Sequence, residues 1–443
     1  MNIENDASNK RNFRNIICNL HVFEKDLLFP TVLIILNTPL EPRALRRAWQ
    51  ASHSLRVCAD GASNRIRAAA GCSDLIPDLI CGDWDSITKE TEQHFSKFQV
   101  QFIKNPLDQD STDLMKCLVQ VAERMGENAN KTRVIVYGAF GGRFDQEMQN
   151  FNTLYSPPWC LMFKQITLLA DDCIACVIPE GKNIIRVSCP YEGPNCGLVP
   201  LGGKVRSLTT RGLHWDVSEW ESSFGGKISS SNRVEHFSKE SAARLVDIEV
   251  DTSEAIVWTA SLPPVPIIHL CIMGVCGSGK STTAEWIGAK LFDKAAVRDG
   301  DDFHSDANKA KMASGIPLDD TDRAPWLSSI AEWIGTRASS NVSAVISCSA
   351  LKRKYRDLLR DTVRTMSPET DLRFAFVTTS KETLLERLTT RAQTTAHYMK
   401  PGLLDSQLAT LEVPSEDEKV IEVDVTHTQP VSVAEKILNA LCC

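Results

Sequence analysis

Apolar and polar positions alternate along this chain in two different styles. Between residues 30 and 160, short apolar runs are separated by stretches with helical spacing. The runs at 31–36, 55–59, 79–81 and 133–137 predict strands. The stretches at 40–51, 63–70 and 112–125 predict helices, the last opened by Thr112 and Asp113. Strands alternating with helices predict a parallel α/β sheet. From 165 to 262 the style changes to short apolar runs punctuated by Gly and Pro, at 166–170, 173–178, 184–189, 245–250 and 255–259. That pattern predicts a β-sandwich or small barrel. Pro263, Pro264 and Pro266 then interrupt any helix or central strand and read as a stiff linker. Beyond them the α/β style returns, with strands predicted at 267–273 and 344–347 and a helix at 282–292. The expected organisation is a polar tail at 1–29, a parallel-sheet α/β domain at 30–160 and a β-sandwich at 161–262. A Pro-rich linker at 263–266 and a second α/β domain at 267–443 complete it.

Composition agrees with several cores. The chain has 443 residues, more than one hydrophobic core serves. Hydrophobic residues at 43% and charged residues at 24% match an ordinary soluble globular protein. A net charge of −7 without a basic block speaks against a dedicated nucleic-acid face. No apolar run approaches the roughly 18–20 residues that span a bilayer. The first 19 residues lack the apolar core of a signal peptide. A cytoplasmic location is therefore expected, with the 15 cysteines mostly reduced. Cys173 and Cys176 form one CxxC, but it lies in an apolar run with no second pair at zinc spacing, and it reads as part of a buried strand.

The most specific local signal follows the 267–273 run. Gly274-Val275-Cys276-Gly277-Ser278-Gly279-Lys280-Ser281, with Thr282 opening a helix, is GxxxxGKS in the strand–loop–helix setting a P-loop requires. Its glycines let backbone N–H groups converge on phosphate oxygens. Lys280 is placed to reach the β/γ phosphates of ATP and Ser281 to hold Mg²⁺. Asp299, Asp301 and Asp302 follow the next strand, with His304, Lys311 and Arg323 beyond. A carboxylate there can accept a hydroxyl proton, and the cations can clamp an anionic acceptor. The phrases GVCGSGKS, DGDDFH, NKAKMASGIPLDDTDRAPWL, CSALKRKYRDLLR and LLDSQLATLE resemble gluconokinase of the small P-loop sugar-acid kinase family over 267–443. The resemblance implies MgATP-dependent phosphorylation of D-gluconate to 6-phosphogluconate. It implies Asp301, His304, Lys311, Arg323, Ser349 and Lys352 around gluconate, Asp301 as proton acceptor, and Asp299 near the metal's water shell. After Arg391 the family's Gly-His-Phe is replaced by a longer stretch ending in His397-Tyr398-Met399, which departs from the lid pattern.

Before the linker there is no P-loop. Acidic groups instead stand after predicted strands: Asp60 in CADGAS, Asp83 and Asp85 in GDWDS, Asp113 in DQDSTD, and Asp145 in GGRFDQ. Asp83 and Asp85, two apart in an extended segment, are expected to share one side. Hard oxygens of this kind suit Mg²⁺ with bound phosphates. These clusters, with NCGLVPLG, TTRGLHW and SSSN, look like thiamine pyrophosphokinase over about 30–262. The resemblance implies transfer of diphosphate from ATP to thiamine with release of AMP. It implies Mg²⁺ on Asp83, Asp85 and Asp113, and ATP against Gln109, Thr112, Arg143, Asp145 and Gln146. Trp215, Ser231 and Asn232 would receive thiamine, and a homodimer would build the site between subunits.

The sequence therefore predicts two ATP-dependent kinases in one chain, acting on small molecules, with neither nucleic acid nor membrane as partner. The alternatives are that one half is a non-catalytic binding or scaffold module, or that the second kinase takes another small sugar acid.

Overall fold

The computed structural model describes residues 15–19, 22, 28–69, 72, 74–105, 110–188, 192–235, 245–263, 267–290, 296–340, 342–394, 403–426 and 428–442. It divides into two compact units, Met1–Val265 and Pro266–Cys443. Linker residues 264–266 lie outside the described residues.

The first unit holds β1 (Asn15–Cys18), β2 (Thr31–Ile35), β3 (Leu55–Ala59), β4 (Leu79–Gly82), β5 (Gln101–Lys104), β6 (Arg133–Tyr137) and β7 (Gln165–Leu169). Among them lie α1 (Pro42–Ala51), α2 (Asp60–Ala68), α3 (Lys89–Phe95), α4 (Asp113–Met125), α5 (Phe144–Tyr155) and α6 (Trp159–Met162). Strands β8 (Cys173–Ile178), β9 (Gly181–Ser188), β10 (Asn195–Val199), β11 (Val205–Arg211), β12 (Trp220–Ser222), β13 (Ser229–Arg233), β14 (Leu245–Thr252) and β15 (Ile256–Ser261) follow. The apolar run of β2 is buried at all five positions, as a strand covered on both faces must be.

Ten strands form one sheet in the order β13-β10-β15-β8-β7-β6-β2-β3-β4-β5. From β7 to β5 it is parallel. From β7 outward the other way it is antiparallel. The change of style at residue 165 is thus a change of strand direction within a continuous sheet. Its cause is the three-residue connection Ala170 to Asp172, closed by Ala170 N–H to Cys173 C=O (2.9 Å). A link that short returns the chain antiparallel and cannot cross over. A second sheet, β1-β9-β14-β11-β12, accompanies it, and one apolar cluster contains residues of both. Cys176 is buried in β8, and Cys173 beside it is a free thiol. The expected tail at 1–29 is corrected in part: 15–18 is a strand, pairing parallel with 183–186 and burying Ile17. Four residues with one inward apolar side chain give too short a pattern to be read in advance.

The second unit has β16 (His269–Met273), β17 (Val297–Asp299), β18 (Ala344–Ser347), β19 (Arg373–Thr378) and β20 (Ile421–Asp424), all parallel in the order β17-β18-β16-β19-β20. Its helices are α7 (Lys280–Lys290), α8 (Asp306–Ala313), α9 (Asp320–Ser339), α10 (Arg353–Met366), α11 (Lys381–Thr394), α12 (Leu403–Thr410) and α13 (Pro430–Cys442). Separate apolar clusters join the sheet to α9 and α10, and to α7 and α13. Arg356 and Glu418 form a buried, two-pronged ion pair (2.6 and 2.7 Å). The remaining guanidinium nitrogen donates to the carbonyls of Ala350, Leu351 and Glu412.

Candidate active sites

In the first unit two strand ends and one helix start deliver carboxylates to one point. Strand β3 runs into α2 without a loop, so Asp60 opens the helix three residues before the expected start. Its buried carboxylate accepts the N–H of Gly61 (2.5 Å) and of Trp84 (2.8 Å). Gly82 makes room for it, since a Cβ there would stand 2.5 Å from the carboxyl carbon. Asp83 follows β4, and Asp113 opens α4, whose N-terminus Thr112 caps through Met115 N–H (3.3 Å). One carboxylate oxygen from each of Asp60, Asp83 and Asp113 lies within 4.8 Å of the others. Burial first, then the charge of Asp60, pushes Asp113 up to about 6. Burial also raises Asp60. Burial works against the Asp83 charge too, but the buried Lys116 ammonium at 3.1 Å helps keep its pKa below the ordinary value.

Asp85 stands outside this cluster and accepts a bond from Ser86 Oγ (2.6 Å). Between Asp83 and Asp85, Trp84 adopts φ 74°, and the charge of Asp85 still acts on Asp60 and Asp113. Asp60, which the expected ligand set did not include, lies in the carboxylate cluster as well. Arg143 pairs with Asp145 (2.5 Å) in the exposed first turn of α5, beside exposed Gln146. Gln109 lies outside the described residues.

The groups expected to receive thiamine lie elsewhere on the same sheet. Asn232 of β13 accepts Trp215 N–H (3.2 Å) and donates to Trp215 C=O (2.9 Å). The indole so held is 59% exposed, with His214 edge-on at 4.5 Å. Ser231 beside Asn232 has φ 56°. Strand β13 is eight places from β4 in the sheet order. At about 4.8 Å per strand that is on the order of 38 Å along the sheet.

In the second unit the loop between β16 and α7 supplies the site. Gly274, Gly277 and Gly279 have φ of 147°, 79° and 95°. A Cβ at Gly274 would meet Val377 C=O at 2.7 Å. Lys280 Nζ donates to Val275 C=O (2.8 Å), and burial lowers its pKa. Ser281 Oγ donates to Asp299 (2.7 Å), whose other oxygen accepts Asp301 N–H (3.0 Å). A cavity of about 870 Å³ opens beside this loop. Gly277, Ser278, Gly279, Lys280, Ser281 and Thr282 line one part of it, and Asp301, His304, Arg323 and Ser349 another. His304 stacks on Trp326 (4.4 Å, 13°) with Nε2 4.0 Å from Asp301, and burial lowers its pKa. Trp326 is itself fixed by Nε1–H to Gly300 C=O (2.6 Å). Arg323 reaches Tyr355 Oη (3.2 Å). Lys311 and Lys352 are not on the cavity wall. They are paired with Asp322 (2.5 Å) and Asp320 (3.0 Å). Among the wall residues that the sequence did not assign to the site are Arg387 of α11 and Gln407 of α12. The segment 395–402, which carries the unusual lid sequence, lies outside the described residues.

Both units thus combine an α/β parallel sheet with a constellation suited to ATP phosphates, the layout of phosphotransferases. The comparisons make this particular. A profile described as "Thiamin pyrophosphokinase, catalytic domain" matches residues 45–168, and one described as "Thiamin pyrophosphokinase, vitamin B1 binding domain" matches 182–244. Thiamine pyrophosphokinase 3 of Oryza sativa subsp. japonica is 36% identical over 245 residues, covering 52% of this chain and 86% of the relative. A gluconokinase of Gluconobacter oxydans is 42% identical over 170 residues, covering 38% of this chain and 89% of the relative. A probable gluconokinase of Dictyostelium discoideum is 42% identical over 180 residues, covering 39% and 85%. The chain belongs to the thiamine pyrophosphokinase family in its first half and to the gluconokinase family in its second.

Proposed function

We propose that the chain is a bifunctional enzyme. Its first unit transfers the diphosphate of ATP to the hydroxyl of thiamine, giving thiamine diphosphate and AMP. Its second unit phosphorylates D-gluconate, giving 6-phosphogluconate and ADP. The observation that carries the first activity is the convergence of Asp60, Asp83 and Asp113. For the second it is the shared cavity of the P-loop with Asp301, His304 and Arg323.

Three clustered carboxylates beside a single lysine fit a divalent cation with hard-oxygen preference. Asp60, Asp83 and Asp113 would hold Mg²⁺ in the first unit, with Asp85 near them, and Ser281 would hold it in the second. When bound, the ion neutralises phosphate charge. The protein's own groups do the rest. The capped N-terminus of α4 offers N–H groups to the nucleotide, with Thr112, Arg143, Asp145, Gln146 and Gln109 completing its surroundings. In the second unit Asp301 accepts the acceptor's hydroxyl proton. His304, kept neutral by burial and held by Trp326, hydrogen-bonds the sugar acid. Lys280 stabilises the charge on the transferring phosphoryl group. Arg323 and Ser349 bind gluconate, and Lys311 and Lys352 join them on release from Asp322 and Asp320.

The thiamine site supports a dimer. Trp215, Ser231 and Asn232 are on the order of 38 Å along the sheet from the carboxylates, by strand spacing. One chain cannot bring them to one substrate, so a second copy supplies the complementary half. Mixing Asp83→Ala with Trp215→Ala protein tests this. Random re-pairing restores about a quarter of the wild-type sites if each site spans two chains. No recovery after verified subunit exchange would refute the shared site. Failure of wild-type protein to form either product with MgATP would refute the enzymatic reading.

A further inference from the structure

We propose that Gln407 is a phosphate-facing part of the second unit's nucleotide site, held in place by the P-loop itself. This rests on the kinase reading above and adds a residue to it. Gln407 lines the same cavity as Lys280, Ser281 and Asp301. Its Oε1 accepts the N–H of Cys276 at 2.7 Å, although the two residues are 131 positions apart. The contact fixes the orientation of the side-chain amide. A backbone N–H can only meet the oxygen end, so the nitrogen end, with its two hydrogens, faces away from the loop backbone. Among the described residues no acceptor meets that nitrogen.

The partner peptide is equally informative. The peptide joining Val275 to Cys276 has its N–H on Gln407 and its C=O on Lys280 Nζ (2.8 Å). Lysine of a P-loop serves the outer phosphates. Gln407 and Lys280 therefore hold opposite edges of one peptide plane at the mouth of the loop. Packing makes the arrangement rigid. Leu404 of α12 is buried with Val275 and Cys276 of the loop and with Leu384 and Leu388 of α11. The side chain thus takes one loop N–H out of use and replaces it with a neutral donor that reaches further into the cavity, toward the terminal phosphate.

The test uses the full-length chain: retained ADP binding reports that the second unit is folded, and thiamine diphosphate formation by the other unit normalises the amount of protein. Gln407→Glu keeps an acceptor for Cys276 N–H but exchanges the donor for a negative charge. Gln407→Leu removes both. Binding of a non-hydrolysable ATP analogue and of ADP is measured by displacement of a fluorescent nucleotide, which needs no sugar acid, with the first unit's contribution subtracted by the same titration of Lys280→Ala protein. The expected result is at least a tenfold loss of affinity for the triphosphate in Gln407→Glu, with ADP affinity within about twofold of wild type. Gluconate phosphorylation falls in parallel, and thiamine diphosphate formation is unchanged. Equal loss of both nucleotides would mean that Gln407 only shapes the loop, and unchanged binding of both would mean that its nitrogen touches no phosphate. Either overturns the proposal. A wild-type chain that binds nucleotide but leaves gluconate unphosphorylated would refute the choice of acceptor while leaving the Gln407 test intact.

Discussion

The two units prepare for the same molecule, ATP, with opposite materials. The first gathers negative charge: three carboxylates from the ends of β3 and β4 and the start of α4, balanced by Lys116. It suits a cation, and the phosphates follow the cation. The second gathers N–H groups and an ammonium in one eight-residue loop, and it suits the phosphates directly. The difference teaches how a site depends on its fold. A loop-built site needs one strand and one helix to be correct. A site assembled from several strand ends needs the whole sheet in register, and Gly82 must leave space for Asp60.

The sharpest way to break this comparison is to remove the central group of each site in the intact chain. Asp83→Ala should lower thiamine diphosphate formation by on the order of 10²–10³-fold and leave gluconate phosphorylation unaltered. Lys280→Ala should do the reverse by a similar factor. Paired end-point assays of AMP and ADP production check both, and loss of both activities from either change would show that the units are not independent.

Next in size is stability. Glu418→Gln leaves Arg356 buried without its partner and should cost about 3–5 kcal/mol in the second unit. Hydrogen bonding to Arg356 first, against some burial, draws Glu418 down to about 2. A depressed acid contributes stability above its unfolded value of 4.5 and loses it as pH falls through the folded value. Acid unfolding of the wild-type second unit between about pH 4.5 and 2 should therefore be steeper than that of Glu418→Gln. Identical curves would remove the ion pair from the account.

Smaller still is Trp215→Ala, which should raise the KM for thiamine by about three- to thirtyfold through loss of a cation–π face. An unchanged KM would place the thiamine rings elsewhere. The least effect is expected from separation. Segments 1–263 and 267–443, made apart, should each keep activity within about twofold, as units with their own cores do.

Legibility in the sequence followed the same contrast. The P-loop was readable because strand, glycines, lysine and helix are contiguous, and β16, the loop and α7 stand where that reading put them. The acidic site was readable only in part. Its clusters mark strand ends, but the company of Asp60 needed the fold. The absence of any loop between β3 and α2 brings Asp60 to Asp83 and Asp113. No periodicity encodes that fact. Gln407 stands in a quoted phrase, LLDSQLATLE, but its contact was invisible for a different reason: its partner is a backbone N–H, which carries no residue identity. The continuity of the ten-stranded sheet was hidden too: the change of style at 165 marks a change of strand direction, but nothing in it tells that β7 and β8 stay in one sheet.

The length of that sheet has a consequence for how the two activities respond to dilution. With carboxylates near one edge and Trp215 and Asn232 near the other, the proposed shared site would require two chains to meet for thiamine turnover. The cavity of the second unit is lined by residues of one chain. Specific activity toward thiamine should then fall as enzyme concentration drops below the dimer's dissociation constant, while that toward gluconate stays flat. The same polypeptide would work as two enzymes when abundant and as one when scarce.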